Sequence, residues 1–550
     1  MHSHAPSRHG RSDLPGTPLL IFMGVSFAVV LPFFFLGIPS GHDFEFHMNS
    51  WMEVVNQWRH GIVYPRWAAL AHHGYGEPRF VFYPPASWML GAALGALLPW
   101  KIVPEAFAWI ALTVSGCSMF LLARSWLDHN SALFAAVAYA ANPYFLVIVY
   151  WRSAFAELLA GAWLPLLVLF MVREEKRADR VIVPVGLVIC AVWLTNAPAG
   201  VMACYSLALL SLIVAVARRS SRSLLHGASA VLLGLALAAF YVLPAACEEK
   251  WVNIAQVLSP GVRPDDNFLF TTIADADHNR FNRLVSLVAA SEIMVFAAAA
   301  IFSRGRHGKS TIWTALAAWA AAATLIMCSF TRIAWRYLPE LQYLQLPWRW
   351  LLCLNVALAL LVAMAWPRAR LAVWLTMLSV VPFVWHGVQP PWWDTAADIA
   401  AMHRSHESGQ GYEGTDEYVS DGADAYDVNP NARKVTLQDS GAAQIRIERW
   451  EPELRMFSVQ SPQPEHLLVK LFNYPAWQVE VNGQIADQTS DDAGQMIIPV
   501  AAGENQVRLT FVRTWDRTAG GIISLATAGL LVLWWAATRR PVHTAGVAKT

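Results

Sequence analysis

In Gly41-His42-Asp43-Phe44-Glu45-Phe46-His47 an aspartate, a glutamate and a histidine stand at alternate positions, with phenylalanines between them. If the segment is extended, all three face one way; if it is helical, Asp43 and His47 share a face. Either geometry sets a carboxylate beside an imidazole. That pair can take a proton from an attacking hydroxyl or hold a divalent cation. The same residues also read as a solvated turn with phenylalanine anchors at a membrane surface, and spacing alone leaves both readings open.

Cations follow along the chain. Arg66 lies in Tyr64-Pro65-Arg66-Trp67, and Arg79 in Gly74-Tyr75-Gly76-Glu77-Pro78-Arg79, shortly before Tyr83-Pro84-Pro85. Glycine and proline fix tight turns there, and the aromatics suit the headgroup level, so an aromatic belt is the default reading. Arg66 and Arg79 at that surface would bind a lipid phosphate or simply contact headgroups. In Tyr150-Trp151-Arg152-Ser153-Ala154-Phe155-Ala156-Glu157, Arg152 and Glu157 stand at a span boundary, where charges are usually paired; they either pair with each other or line a pocket. Arg332, Arg336 and Arg349 bring three guanidinium groups to one later loop and the span after it, enough to compensate an anion. Lys250 and Arg263 are weaker candidates of that kind.

The elements that must position these residues are mostly membrane spans. Of 550 residues, 56% are apolar and 14% charged, against about a quarter charged in soluble proteins. The formal net charge is +1, so no global basic field points to nucleic acid as a partner. The six cysteines fall in or beside apolar runs, with no disulfide or zinc spacing. His2, His4 and His9 lie in a polar tail. Runs long enough to cross a bilayer are residues 19–39, 105–123, 131–150, 155–172, 181–196, 199–217, 224–246, 284–302, 311–330, 348–366, 371–388 and 518–537, about twelve in all. The run 84–99 is too short and proline-bounded, and reads as a helix lying at the membrane surface. With the N-terminus inside, Arg124, the 173–177 stretch, Arg218, Arg222, Arg304, Arg306, Lys309, Arg368, Arg370, Arg539 and Arg540 all fall in the cytoplasm, as the positive-inside rule requires. Counting 84–99 as a crossing reverses every later loop.

The expected organisation is therefore a cytoplasmic tail at 1–18, a membrane domain at 19–388 with a first outer loop at 40–102, an outer linker and β domain at 389–517, a last span at 518–538 and a tail at 539–550. Alternation in 444–449, 467–472, 477–481, 496–500 and 506–511, with a hairpin signal at Asn482-Gly483, predicts a small antiparallel, sandwich-like β domain.

Asp43-(x)3-His47, Tyr64-Pro65-Arg66-Trp67, Gly74-x-Gly76, Phe82-Tyr83-Pro84-Pro85 and Tyr150-Trp151-Arg152-x-Ala154-x-Ala156-Glu157, in that order, resemble the bacterial membrane proteins labelled 6-pyruvoyl-tetrahydropterin synthase-related, which in turn resemble the GT-C glycosyltransferase superfamily. Asn473-Tyr474-Pro475-Ala476-Trp477 through Pro499-x-x-Ala502-Gly503-Glu504 is similar to the β domain of YfhO-like relatives. True pyruvoyl-tetrahydropterin synthases are soluble zinc enzymes, so pterin chemistry is set aside. The resemblance implies an acidic residue in the first outer loop, matched by Asp43, and a juxtamembrane helix at 84–99. It also implies a polyprenyl-phosphate-linked sugar donor and an extracytoplasmic glycan, lipid or protein acceptor, in the bacterial inner membrane.

On that resemblance Asp43 orients or deprotonates the acceptor, with His47 as its partner. Arg152, Arg349, Arg336 and Lys250 are the donor-phosphate candidates, and Arg66, Arg79, Tyr83 and Glu157 the expected pocket. Metal dependence turns on Glu45: the loop has Asp43-x-Glu45 in place of Asp-x-Asp, and a divalent cation, magnesium or manganese, would be held by that pair. A lipid-linked glycan ligase or polymerase shares the need for outward arginines. A transporter predicts ionisable residues deep in the spans, whereas here they cluster at span ends. A non-catalytic scaffold is a further alternative.

Overall fold

The computed structural model describes residues 16–172, 178–308, 310–439 and 442–539. The histidine-rich N-terminus, the 173–177 basic stretch, Lys309 and the C-terminal tail from residue 540 lie outside them. Among the described residues, nine helices are long and apolar enough to cross a membrane, and up to eleven if each of two bent pairs counts as one span. This trims the expected twelve. The runs at 224–246 and 311–330 are bent pairs, Arg222–Leu237 with Ala239–Trp251 (81°) and Thr311–Ile326 with Ser329–Tyr337 (87°). Pro244 in the first pair removes an amide donor and crowds the carbonyl one turn back, next to the break. The run at 181–196 folds as Asp179–Thr195, 17 residues, just under a span's length. The helix Pro85–Leu97 has 13 residues, about 20 Å at 1.5 Å per residue against a hydrocarbon core of about 30 Å.

Residues 44–59, which follow the first span, form the helix Phe44–Arg59. It packs on Pro85–Leu97, where Trp51 occupies the space a side chain at residue 91 would need. Trp51 in turn stacks on Phe107 (5.2 Å, 12°) of the next span. The span Pro347–Ala365 is enclosed by other helices along nearly its whole length, and it carries Arg349 at its start.

The C-terminal domain has two antiparallel sheets around one apolar core. One sheet orders Val435–Leu437, Glu465–Phe472, Gln495–Val500 and Thr489–Ser490; the other orders Gln444–Glu451, Leu454–Ser461, Gly503–Phe511, Trp477–Val481 and Gln484–Ile485. The expected strands are present, and Leu454–Ser461 and the short strands Val435–Leu437, Gln484–Ile485 and Thr489–Ser490 are added to them. Along Gly503–Phe511 the buried residues alternate, Asn505, Val507, Leu509 and Phe511, as a strand with one face inward must. Asn482 and Gly483 both have positive φ (53° and 77°), the two-residue hairpin turn that suits this pair.

This core reaches into the first loop. Trp67 is fully buried against Tyr474, Trp477 and Phe511, with ring centroids 5.5–5.7 Å apart, and Tyr75 packs on Phe472 at 5.5 Å. The aromatic belt expected of these motifs is therefore a docking seam to the β domain. The free energy of burying two large rings goes into joining two domains instead of anchoring in headgroups.

Candidate active site

Asp43 stands immediately before the helix Phe44–Arg59, and the chain leading to it is pinned from three sides. Ile38–Pro39 pairs with Trp393–Asp394. The Gly41 amide donates to Ser153 Oγ (3.0 Å), whose hydroxyl donates to the Pro39 carbonyl (2.7 Å). The Asp43 amide donates to the Arg152 carbonyl (2.8 Å). Gly41 is required by this contact, because a Cβ there would sit 2.4 Å from the Trp151 carbonyl oxygen. The partner segment is irregular for the same purpose. Ile148–Arg152 is a π-helical turn, a form that recurs at functional sites, and Ser153 leaves it in the left-handed region (φ 50°). The turn delivers the Arg152 side chain to Asp43.

An Arg152 Nη donates to Asp43 (3.2 Å) and the other Nη pairs with Glu157. Arg349 Nε donates to the same Glu157 oxygen (3.2 Å), and its Nη1 to the Leu344 carbonyl (2.7 Å). The Tyr144 hydroxyl donates to the other oxygen of Glu157 (2.5 Å). Arg152 also stacks over Trp348, 4.9 Å from the ring centroid. Glu157 thus fixes two guanidinium groups from different spans side by side, with every polar atom of its carboxylate used. Arg152 and Glu157 are buried, whereas the Asp43 side chain keeps 36% of its surface open. Burial disfavours the charge on Asp43, but Arg152, then His47 and Arg349, outweigh it and hold the carboxyl below its usual range.

These groups lie at the meeting of two cavities, of about 1130 Å³ and 420 Å³, which share Asp43, Arg349 and Glu417. The larger also exposes Arg152, Trp348, Phe281, Trp392 and polar side chains such as Gln256, Asn267 and Gln389. The smaller is lined by Phe46, His47, Phe82, Tyr83, Pro84 and Glu157.

One wall of both comes from residues 413–418, about 370 positions away in sequence from Asp43. The Thr415 amide donates to Glu77 (2.9 Å), the Tyr412 amide to the Leu70 carbonyl (3.1 Å), and Tyr418 stacks on Phe82 (5.6 Å, 14°). The sequence marks this segment only as polar and rich in glycine, aspartate and tyrosine. Nothing local in it says which cavity it closes.

Several expected site residues stand elsewhere. The helical form of the segment puts Asp43 and His47 on one face and turns Glu45 into solvent, so the Asp43–Glu45 pair does not converge on a cation, and no group of three or more His, Cys, Asp or Glu among the described residues could hold a metal ion. His47 does line the smaller cavity, but its ring packs on Trp51, Tyr83 and Phe155 with neither nitrogen hydrogen-bonded. Burial pushes its pKa down to about 4, with Asp43 opposing, so it is neutral at pH 7. Arg79 is sealed in an ion pair with Glu77 (2.5 Å) and donates to Ser50 Oγ (3.0 Å). Arg66 donates to the Phe240 carbonyl (3.2 Å) and lies over Tyr64. Arg336 pairs at the surface with Asp265 (3.2 Å). Lys250 borders a separate hollow on the β domain. None of these four lines the two cavities.

The family described as "6-pyruvoyl-tetrahydropterin synthase related domain; membrane protein" matches residues 80–386. No curated protein sequence matches the chain. Among solved structures, ArnT from Cupriavidus metallidurans bound to undecaprenyl phosphate is similar over 68% of this chain and 64% of its own, at 14% identity and TM-score 0.43. The mycobacterial arabinofuranosyltransferase AftD is similar over 69% and 27%, at 16% identity and 0.44. The Archaeoglobus fulgidus oligosaccharyltransferase in its apo form is similar over 72% and 56%, at 13% identity and 0.41. The chain spans less than two thirds of the length of each.

Proposed function

The chain belongs to the family of membrane proteins with the 6-pyruvoyl-tetrahydropterin synthase related domain, and from that premise we propose that it is an integral-membrane glycosyltransferase. It moves a sugar from a polyprenyl-phosphate-linked donor to a glycan, lipid or protein acceptor on the outer side of the bacterial cytoplasmic membrane, N- and C-termini inside. The observation that carries the reading is the junction of the two cavities, where a partly open carboxylate, Asp43, stands against two guanidinium groups, Arg152 and Arg349, preset by Glu157. The placement of basic residues in the alternate loops supports the outward orientation.

The donor phosphate lies against Arg349 and Arg152, with the lipid leading away past the aromatic wall of the smaller cavity, Phe82 and Tyr83. Asp43, held ionised, accepts a hydrogen bond from the acceptor hydroxyl and aims its oxygen at the anomeric carbon. Attack from the face opposite the phosphate inverts that carbon. As the bond to phosphate breaks, negative charge grows on the leaving oxygen beside the guanidinium groups, which are already in place and desolvated. Asp43 and Glu45 do not meet, so that pair forms no two-carboxylate cation site.

The test is transfer from a panel of undecaprenyl-phosphate-linked radiolabelled hexoses and pentoses to endogenous acceptors, in membranes carrying wild-type or Asp43→Asn protein. Transfer by wild type and its loss in Asp43→Asn is the expected result. Equal turnover by both, or none by wild type, overturns the proposal.

A further inference from the structure

Asp43 is committed to Arg152, and a carboxylate so stabilised is a weak proton acceptor. The acceptor hydroxyl must nevertheless lose its proton. A second carboxylate lines the same space: Glu417 borders both cavities, as Asp43 and Arg349 do. Its neighbours in the turn are each occupied. Thr415 is bonded to Glu77, Asp416 accepts from the Tyr426 hydroxyl (2.9 Å), and Tyr418 is stacked on Phe82. Among the described residues the Glu417 carboxylate hydrogen-bonds only to its own backbone amide.

The turn that carries it is held firmly. On one side it is bonded to the first loop through Glu77 and Leu70; on the other the Asn253 amide donates to the Val419 carbonyl (2.9 Å). A carboxylate with no side-chain hydrogen-bond partner, on a rigid support and lining the same cavities as an ionised aspartate and Arg349, has the placement of a general base.

We propose that Glu417 takes the proton of the acceptor hydroxyl, with Asp43 orienting that hydroxyl; the inference rests on the transferase reading above. The acceptor O–H bond breaks with its proton passing to the Glu417 carboxylate. The oxygen electron pair forms the bond to the anomeric carbon, and the pair of the breaking C–O bond leaves on the polyprenyl phosphate.

The surroundings suit this role. Burial raises the Glu417 pKa to about 7, its own amide lowers it, Glu77 raises it, Arg79 lowers it and Asp416 raises it. Tyr418 lies beside it, and His42, Asp43 and Arg349 line the smaller cavity with it. As pH falls through about 7 the group takes up a proton and loses its capacity to accept; turnover rises as it ionises.

The test is kcat against pH for the full-length protein in vesicles, using the undecaprenyl-phosphate-sugar panel and wild type, Glu417→Gln and Glu417→Asp. Wild-type kcat should rise between pH 6 and 8. Glu417→Gln should lose about 10²- to 10⁴-fold in kcat and lose the rise, with the donor KM and unfolding temperature unmoved, and Glu417→Asp should recover part of both. A flat wild-type profile, or a Glu417→Gln enzyme that keeps the rise or the rate, overturns the base assignment alone. Absence of transfer by wild type overturns the transferase reading beneath it.

Discussion

Glu77 with Arg79 and Asp43 with Arg152 are built from the same two kinds of side chain, and both pairs involve the first loop. Glu77 and Arg79 are 0% and 1% exposed, 2.5 Å apart, and closed in by His72, Ser50 and Thr415. In the other pair the arginine is buried but Asp43 keeps 36% of its surface, and a cavity begins where Glu77 has a wall. The first network staples the 411–418 segment to the first loop; the second leaves one carboxylate and two guanidinium groups with capacity for a ligand. An ion pair by itself does not mark a site. What marks it is a charge whose hydrogen-bonding capacity the fold leaves unfilled.

The sharpest way to break this contrast is Glu77→Ala. Removing one partner of a fully buried pair leaves Arg79 uncompensated, and a loss of about 3–5 kcal/mol is expected, read as unfolding in mild detergent. An unfolding midpoint equal to wild type would show that Glu77 is no staple. Acid probes the same pair. Burial resists the Glu77 charge, but Arg79, followed by His72, brings its pKa down to about 2 from an ordinary 4.5. A depressed carboxyl pKa gives stability that is full above about pH 4.5 and is lost as pH falls toward 2. Wild type should show that acid limb, and Glu77→Gln should lack it.

Asp43→Asn addresses the other network. It keeps the shape and loses the charge, so transfer should fall by about 10²-fold or more with the unfolding midpoint little changed; a midpoint drop like that of Glu77→Ala would make Asp43 a staple too. Arg349→Ala leaves Glu157 still paired to Arg152, so its main loss should be in phosphate recognition. Undecaprenyl phosphate should bind about 10- to 100-fold more weakly, the worth of a charged hydrogen bond, by native mass spectrometry; unchanged affinity removes Arg349 from the phosphate site. Glu45→Ala should be silent, within about 0.5 kcal/mol in stability and with normal transfer. A loss of transfer there would return the residue to the chemistry.

Much of the fold was legible in advance. Nine of the expected spans fold as single helices of sufficient length, because an apolar run of that length has few other ways to satisfy its backbone in a bilayer. The sandwich followed from alternation and from Asn482-Gly483. The bends after Leu237 and Ile326 were not, since hydropathy is blind to where a helix turns. Within the candidate site, Asp43, Arg152, Glu157 and Arg349 were singled out by residue type and position and are brought together. Arg66, Arg79, Arg336 and Lys250 carried the same signal and went elsewhere. For three of them the partners, Phe240, Asp265 and the β domain, come from distant segments chosen by packing, whereas Arg79 is taken up by Glu77, two residues before it.

The sequence by itself determined that this is a membrane protein with a β domain near its end, and that acid and arginine stand at the ends of its spans. Those properties come from local composition and period, which each segment carries alone. Only the tertiary structure decided which charges remain open. Whether Asp43 faces a cavity, whether Arg79 is sealed, and whether Glu417 lines the same cavity as Asp43 depend on contacts between segments far apart in the chain. The free energy of those contacts resides in burial and complementary geometry that no single segment holds.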